Sequence, residues 1–268
     1  MKSNNSKIRA DQLLVDRALA PSRTRAQSLI MAGVVFVGLD RVDKPGKLLS
    51  SSAAISVKGK DHPYVSRGGV KLKAALDHFK ILPAGKVCLD VGASTGGFTD
   101  CLLKEGAKKV YAIDVGKGQL DVTLRSDPRV VVLEKINFRY FDAGLLNDPI
   151  DLAVVDVSFI SLTKIIPKIK DVILSEAKNL SSVLGRSFGL CPQDDNRAYL
   201  IALIKPQFEV GPKFLKKGIV TDEGKREECV VQIKNFCAES GFQILGVIPS
   251  PIFGAEGNQE YLLGAERA

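Results

Sequence analysis

Residues 88–100, CLDVGASTGGFTD, hold the densest chemical pattern in the chain. An apolar run ends on Asp90 and then turns through Gly92, Gly96 and Gly97, which leaves backbone N–H groups bare for a ligand. Three ligands fit a turn of this kind. A phosphate-binding loop would read GxxxxGK[ST], but Phe98 stands where its lysine belongs, which argues against a nucleoside triphosphate. A dinucleotide turn would read GxGxxG, against Gly92-Ala93-Ser94-Thr95-Gly96-Gly97 here. Asp114 ends the next β-branched run, 24 residues after Asp90, where an acid can accept both hydroxyls of an adenosine ribose. S-adenosylmethionine reconciles these signs. It has no phosphate for a lysine to hold, and its sulfonium and amino acid end suit close backbone and nearby carboxylates. The turn by itself is also compatible with a tight strand–helix connection.

The elements that would position these residues alternate. KVCLDVG reads as a strand, GGFTDCLLKEGA as a helix, KKVYAIDVG and RVVVLEKINFR as two further strands. DLAVVDVSFI and AYLIALIKPQF follow as a fourth and fifth strand, REECVVQIKNFCAESG as a helix, and FQILGVIPSPI with NQEYLLGAE completes a sheet. The alternation predicts an α/β fold with a largely parallel, Rossmann-like sheet and ligands at the carboxyl ends of its strands. Upstream, HPYVSRGGVKLKAALDHFKILPAGK predicts a loop and an amphipathic helix.

Bulk composition is that of a globular protein, with 45% apolar and 25% charged residues in 268. No apolar run approaches the ~18 to 20 residues of a membrane span, and MKSNNSKIRADQ lacks the apolar core of a secretory signal. The expectation is a cytoplasmic protein with no membrane partner. Cys88, Cys101, Cys191, Cys229 and Cys237 show no CxxC spacing and read as reduced, partly buried thiols. Two histidines, His62 and His78, make a histidine-based metal site improbable, so no metal is expected.

Charge is divided unevenly. Residues 1–80 hold 15 Lys or Arg against 6 Asp or Glu, whereas the other 188 residues hold 23 against 24. A basic module therefore precedes a nearly neutral one, which points to a polyanion, with nucleic acid the leading candidate. In RADQLLVDRALAPSRTRAQSLIMAGVVFVG, Leu13, Leu14 and Leu19 predict the apolar face of a helix closed by Pro21. Ser22 is placed to cap a second helix, with Ala26, Ile30 and Met31 facing inward until Gly33 stops it. Arg17, Arg23 and Arg25 are left outside near the turn between the helices. VVFVG and AAISVKG predict two strands.

This first part resembles the S-four-like RNA-binding domain, a small α+β module, over residues 7–60, most specifically in SRTRAQSLIMAGVVFVG. The resemblance implies that Arg17, Arg23 and Arg25 face RNA phosphates, contacts that position RNA without reading its sequence. Residues 61–84 read as a linker and the helix carrying Lys71, and residues 85–268 as the α/β domain. Across nearly the whole chain, VSRGGVKL, LDVGASTGGFTD, DVSFISL, LIKPQFEVG and GNQEYLL resemble, in the same order, the motifs of the TlyA family of rRNA methyltransferases. Proteins of that family join an S-four-like domain to an FtsJ-like methyltransferase domain. The resemblance implies methyl transfer from S-adenosylmethionine to the 2′-hydroxyl of cytidine in ribosomal RNA or ribosomal subunits.

The family's Lys-Asp-Lys-Glu tetrad falls on Lys71, Asp156, Lys205 and Glu260. The roles implied are Lys205 orienting and deprotonating the hydroxyl and Asp156 holding Lys205 and facing the methyl group. Glu260 would align Lys71 or the ribose. A free lysine titrates near ~10.4, so Lys71 and partial desolvation are expected to lower Lys205. The matched cofactor positions are Asp90, Gly92, Ser94, Gly96, Asp114, Asn137 and Phe138, with Asn137 departing from the acid usual in FtsJ-like enzymes. Competing chemistries lack their residues. Asp156-Val157-Ser158-Phe159 is not the [DN]PP[FY] of adenine N-methylation, and neither DVSF nor KPQF carries the cysteine of cytosine C5 methylation.

The segment SEAKNLSSVLGRSFGLCPQDDNR, residues 175–197, is longer than the family's connection and predicts a polar surface loop, or an RNA contact through Arg186 and Arg197. Two other readings stand beside the enzyme: an inactive rRNA-binding protein, and a membrane-active haemolysin-like protein. The preserved glycine turn and the missing span argue against the second.

Overall fold

The structure is a computed structural model that describes residues 6–57, 62–175, 197–254 and 257–267. Residues 176–196, most of the predicted insert including Arg186 and Cys191, lie outside the described residues. The chain forms two compact units, residues 1–67 and 68–268.

In the N-terminal unit, β1 (Lys7–Arg9) leads directly into α1 (Ala10–Asp16), followed by α2 (Arg23–Met31). β2 (Val35–Val37) lies between β3 (Asp40–Arg41) and β5 (Ile55–Val57), and β4 (Leu48–Ser50) pairs antiparallel with β1. Ala10, Leu14, Ala20, Ala26, Ile30, Val35 and Val42 form its core. Ser22 caps α2 as its spacing predicts, its side chain accepting from the Arg25 N–H at 3.2 Å. Two expectations fail here. The first helix stops at Asp16, well before Pro21, because the N–H groups of Leu19 and Ala20 fold back onto the Leu14 carbonyl and Ala18 turns left-handed at φ +56°. Leu19 is thereby carried off the helix into solvent, and Met31 is likewise exposed rather than buried.

The C-terminal unit is built on seven strands: β6 (Val87–Val91), β7 (Lys109–Asp114), β8 (Val130–Glu134), β9 (Leu152–Val155), β10 (Tyr199–Ile204), β11 (Phe242–Pro249) and β12 (Tyr261–Arg267). Their order is β11-β12-β10-β9-β6-β7-β8, parallel from β10 to β8 and antiparallel at β12 and β11. The chain moves outward from β6 through β7 to β8 and then returns to β9 on the other side of β6. That reversal is a topological switch point, where ligands enter open α/β sheets.

Strand alternation sets which residues meet which layer. Val87, Leu89 and Val91 join a core with Ile165, Ile166, Ile169, Val172 and Ile173, and with Cys229, Ile233 and Cys237 spaced four apart on α6 (Glu223–Glu239). Most of that aliphatic run belongs to α5 (Ile166–Ser175). Cys88 and Asp90 point to the opposite face, where α4 (Gly97–Lys104) and α3 (Gly68–Phe79) pack on each other. α3 docks through Phe79, whose ring lies over Gly264 of β12; a methyl group there would come within 2.5 Å of it. The four described cysteines are buried, and burial pushes the Cys229 and Cys237 thiols up to about 12. They are packing residues, not nucleophiles.

Candidate active site at the carboxyl end of the sheet

The glycine turn sits on the switch point because three backbone contacts fasten it there. The N–H groups of Gly92 and Ala93 both donate to the Ile113 carbonyl of β7, and Asp156 N–H donates to the Val91 carbonyl from the β9 side. Gly92 has φ +87°, and a Cβ on it would stand 2.5 Å from the Asp156 carbonyl oxygen. No other residue type fits between the two halves of the sheet. Gly96, at φ +93°, opens α4, and a Cβ there would run into Leu124 at 2.3 Å.

Asp114 holds the loop on both sides. One carboxylate oxygen accepts from Ser94 N–H at 2.8 Å, the other from Gly116 N–H at 2.7 Å. Each oxygen keeps a further lone pair for a ligand hydroxyl. Asp90 is wholly buried, and Thr99 Oγ1 donates to its Oδ2 at 2.6 Å while Oδ1 has no hydrogen-bond partner. Burial pushes the Asp90 carboxyl up to about 7; the Thr99 bond works against that rise and the Asp156 and Asp114 charges add to it. A buried, half-satisfied carboxyl group facing a bare glycine turn fits a cationic ligand group.

Two positions of the matched cofactor set have their side chains engaged within the protein. Phe138 is buried in the core with its ring stacked on Phe141, centroids 5.3 Å apart, so its side chain offers no face to a ligand. Asn137 is exposed and spends its Oδ1 on the Arg139 N–H, capping the short turn over Phe138–Tyr140.

Across the switch point the register gathers the other half of the site. Tyr261 of β12 pairs with Ile204 of β10, so Glu260 and Lys205 are the next residues out on neighbouring strands. Asp156 is the residue after β9, next in the sheet. Lys71, one turn into α3, hydrogen-bonds Glu260 Oε2 at 2.5 Å, with both side chains almost entirely buried. Lys205 Nζ lies 2.5 Å from Asp156 Oδ1 in an ion pair that is off the hydrogen-bonding directions, and donates to Ser158 Oγ at 2.9 Å. The four residues therefore form two pairs of unlike character. The charge of Lys71 is offset by Glu260, so it does not act on Lys205 as the bare neighbouring cation the sequence suggested. Gln207 Nε2, at 3.4 Å from Glu260 Oε1, links the pairs through the residue two beyond Lys205.

Sequence reasoning missed several of these groups. Ser158 and Gln207 lie inside DVSF and KPQF but carry no signal of their own. Phe159 follows Ser158 with φ +64° and 90% of its surface exposed, beside the Phe208 ring at 4.9 Å. A large aromatic residue held in a left-handed conformation and left in water is a local cost that packing does not explain.

In the N-terminal unit, Arg17 and Arg25 are exposed; Arg17 donates to the Ser51 carbonyl at 2.9 Å. Arg23 is half-exposed and pairs with Asp11 at 3.1 Å. Arg197, from the predicted insert, ion-pairs with Glu266 at 3.3 Å. Among the described residues no helix is long and apolar enough to cross a membrane.

A doubly wound sheet with a glycine turn at its switch point, an acid closing the next strand and a lysine–carboxylate row alongside defines a nucleoside-cofactor transferase of the α/β class. The chain belongs to the FtsJ-like methyltransferase family, whose pattern matches residues 64–267. It is 42% identical over 260 residues to the 16S/23S rRNA (cytidine-2′-O)-methyltransferase TlyA of Mycobacterium tuberculosis, covering 96% of this chain and 89% of that one. Hemolysin A of Brachyspira hyodysenteriae is 41% identical over 257 residues, covering 95% and 98%. A solved structure from Streptococcus thermophilus, also under a hemolysin name, superposes with TM-score 0.71 at 37% identity, covering 98% of this chain and 89% of that one.

Proposed function

We propose that this protein transfers a methyl group from S-adenosylmethionine to the ribose 2′-hydroxyl of cytidine in ribosomal RNA, which makes the cytoplasm its place of work. The observation that carries this reading is the row of Asp156, Lys205 and Glu260 on three adjacent strands, with Lys71 bonded to its end. A ribose hydroxyl is a poor nucleophile, so the acceptor side must hold it and take its proton. Lys205 is the group suited to that task. It is held by the Asp156 ion pair and by one neutral hydroxyl, Ser158 Oγ, whose place a substrate oxygen can take. The tight Lys71–Glu260 pair instead forms a fixed wall that orients the ribose. Asp156, whose backbone lies against Gly92, holds Lys205 Nζ through its carboxylate.

On the other side, Asp114 receives the ribose hydroxyls of the cofactor, and Gly92, Ser94 and Gly96 let its backbone-facing atoms approach. Asp90, through its unpaired Oδ1, answers a positive group, directly or through one water. Bound there, S-adenosylmethionine supplies an electrophilic methyl carbon. Once Lys205 has released its own ammonium proton to solvent, its neutral Nζ would take the proton of the 2′-hydroxyl as the carbon–oxygen bond forms and the sulfur–methyl bond breaks, leaving the neutral thioether S-adenosylhomocysteine. Phe159 and Phe208 offer an aromatic surface against which the target base, drawn out of its stack, can rest. The 1–67 unit, in this reading an S-four-like RNA-binding domain, supplies affinity through its arginines.

The test is transfer of labelled methyl groups to isolated ribosomal subunits, with the modified nucleotide found by its resistance to alkaline cleavage, which needs a free 2′-hydroxyl. Label on a base, or no label on either subunit, overturns the reading.

A further inference from the structure

The loop after β7, GKGQLD over residues 116–121, is fastened both to the glycine turn and to β8. Asp121 N–H donates to the Thr95 carbonyl at 3.2 Å. Gly118, left-handed at φ +69°, gives its N–H to Glu134 Oε1 at 2.8 Å, and Arg125 from the helical turn Val122–Arg125 binds the same oxygen. Leu120 turns inward and would meet a Cβ on Gly96 at 2.8 Å. Gln119 lies between these fixings and is exposed, so burial does not place its side chain.

Polar contacts place it instead. Ser94 Oγ donates to Gln119 Oε1 at 3.3 Å. That bond sets the sense of the amide, with its carbonyl toward the glycine turn and its amine over Gly116. A Cβ on Gly116 would stand 2.0 Å from Gln119 Nε2 and 3.1 Å from Asp114 Oδ1. The amine and the carboxylate oxygen therefore flank one small space, close enough for a single hydroxyl oxygen to reach both. Gly116 does not have a positive φ, so its missing side chain provides room rather than backbone freedom.

The chemistry of that space is one-sided without Gln119. An ionised carboxylate only accepts, so Asp114 can take the hydrogen of a ribose hydroxyl but leaves the hydroxyl oxygen in want of a donor. Gln119 Nε2 carries two. We propose that Gln119 is a further cofactor-binding residue, whose Nε2 donates to the ribose hydroxyl that Asp114 Oδ1 accepts from. The inference rests on the reading of this turn as an S-adenosylmethionine site and deepens it, from a lone acceptor to a donor–acceptor pair closed around one hydroxyl. It also gives a use to the side chain of Ser94, which is held left-handed at φ +48° while its N–H goes to Asp114 Oδ2.

The test is calorimetry of the full-length protein with S-adenosylhomocysteine and with its 2′-deoxy and 3′-deoxy analogues. Gln119→Ala is expected to weaken S-adenosylhomocysteine by about three- to tenfold, the worth of one neutral hydrogen bond. Gln119→Glu exchanges the donor for an acceptor and sets a second carboxylate near Asp114, so it is expected to weaken binding further. With at least one of the two analogues, the one lacking the bridged hydroxyl, Gln119→Ala should cost nothing. A loss equal for all three ligands would mean that Gln119 only shapes the loop, and would overturn the proposal. Either variant binding S-adenosylhomocysteine as tightly as the wild type would overturn it too, and would leave the cofactor reading standing. Wild-type protein that fails to bind S-adenosylhomocysteine brings down that reading and this inference with it.

Discussion

Asp11 and Asp90 are both closed off from water, one in each unit, and differ in what surrounds them. Asp11 is encircled by two guanidinium groups and an amide, and its proton is held off. Among the described residues Asp90 is bonded by Thr99 alone, through its hydroxyl and backbone N–H, has an idle oxygen and two acidic neighbours, and burial lifts it to about 7. A carboxyl group without enough partners in a protein interior is a standing cost. The N-terminal unit has discharged that cost internally and presents a finished surface. The sheet has left it unpaid at the switch point, beside a turn built without side chains. A saturated charge marks what the fold has already completed, and an unsaturated one marks where a partner of opposite sign is expected.

That contrast divides the labour between an RNA-holding face and a reacting centre, and Lys205→Ala is the largest test of the division. Removing a positioned proton acceptor lowers the methyl-transfer rate by about 10² to 10⁴, with loss of orientation adding to it. Affinity for S-adenosylhomocysteine and for RNA should stay near wild type, because neither is assigned to Lys205. Lys205→Arg should fail as well, since a guanidinium does not give up its proton. Single-turnover rates and calorimetry separate the outcomes. An Arg variant with near wild-type turnover would show that Lys205 acts through charge alone, and a large loss of RNA affinity in either variant would dissolve the division.

Arg23→Ala combined with Arg25→Ala tests the other half. Affinity for unrelated RNAs should drop on the order of tenfold, with a salt dependence flatter by about two contacts. At saturating RNA the turnover should change little. If turnover falls while the salt slope is unchanged, these arginines are not phosphate contacts, and the N-terminal unit does more than hold.

How much of this was legible in the residues depends on how local each signal is. The strand–helix alternation, the glycine turn and Ser22 as a cap are short-range patterns, and each appears in the structure where its spacing put it. The pairing of Lys71 with Glu260 spans 189 positions and follows from two distant docking events, Phe79 over Gly264 and the β10–β12 register. No local pattern encodes it. Leu19 misled because apolar spacing continues past Asp16, while the helix ends where the Leu19 and Ala20 N–H groups fold back onto the Leu14 carbonyl and hold Ala18 in a left-handed conformation that alanine itself disfavours. For Phe138 the motif position says that the residue is near a ligand and not whether its ring or its backbone faces it; the ring is buried on Phe141. Asp11 was invisible for a similar reason: an acid two residues from an arginine looks like a solvated pair until burial is known.

Asp90 supplies the smallest effect and the most direct check of the contrast. Burial pushes its carboxyl up to about 7, whereas an unfolded aspartate titrates near ~3.9. The folded state therefore binds more protons than the unfolded one between those values, so its stability should decline as pH rises from about 4 to 7 and then level. A cationic ligand group beside Oδ1 favours the ionised form and should expel the remaining proton on binding. Affinity for S-adenosylmethionine is then expected to rise with pH by no more than about tenfold between pH 6 and 8, flattening above 7. Asp90→Asn cannot titrate. It should remove the slope from both curves, leave the unliganded protein more stable than wild type at pH 8, and weaken the cofactor there by losing the countercharge. Thermal unfolding and calorimetry across the same pH series read both quantities. An Asn variant that keeps the wild-type slope in cofactor affinity would mean that the titrating group is elsewhere, and that Asp90 is as settled in its pocket as Asp11 is among its arginines.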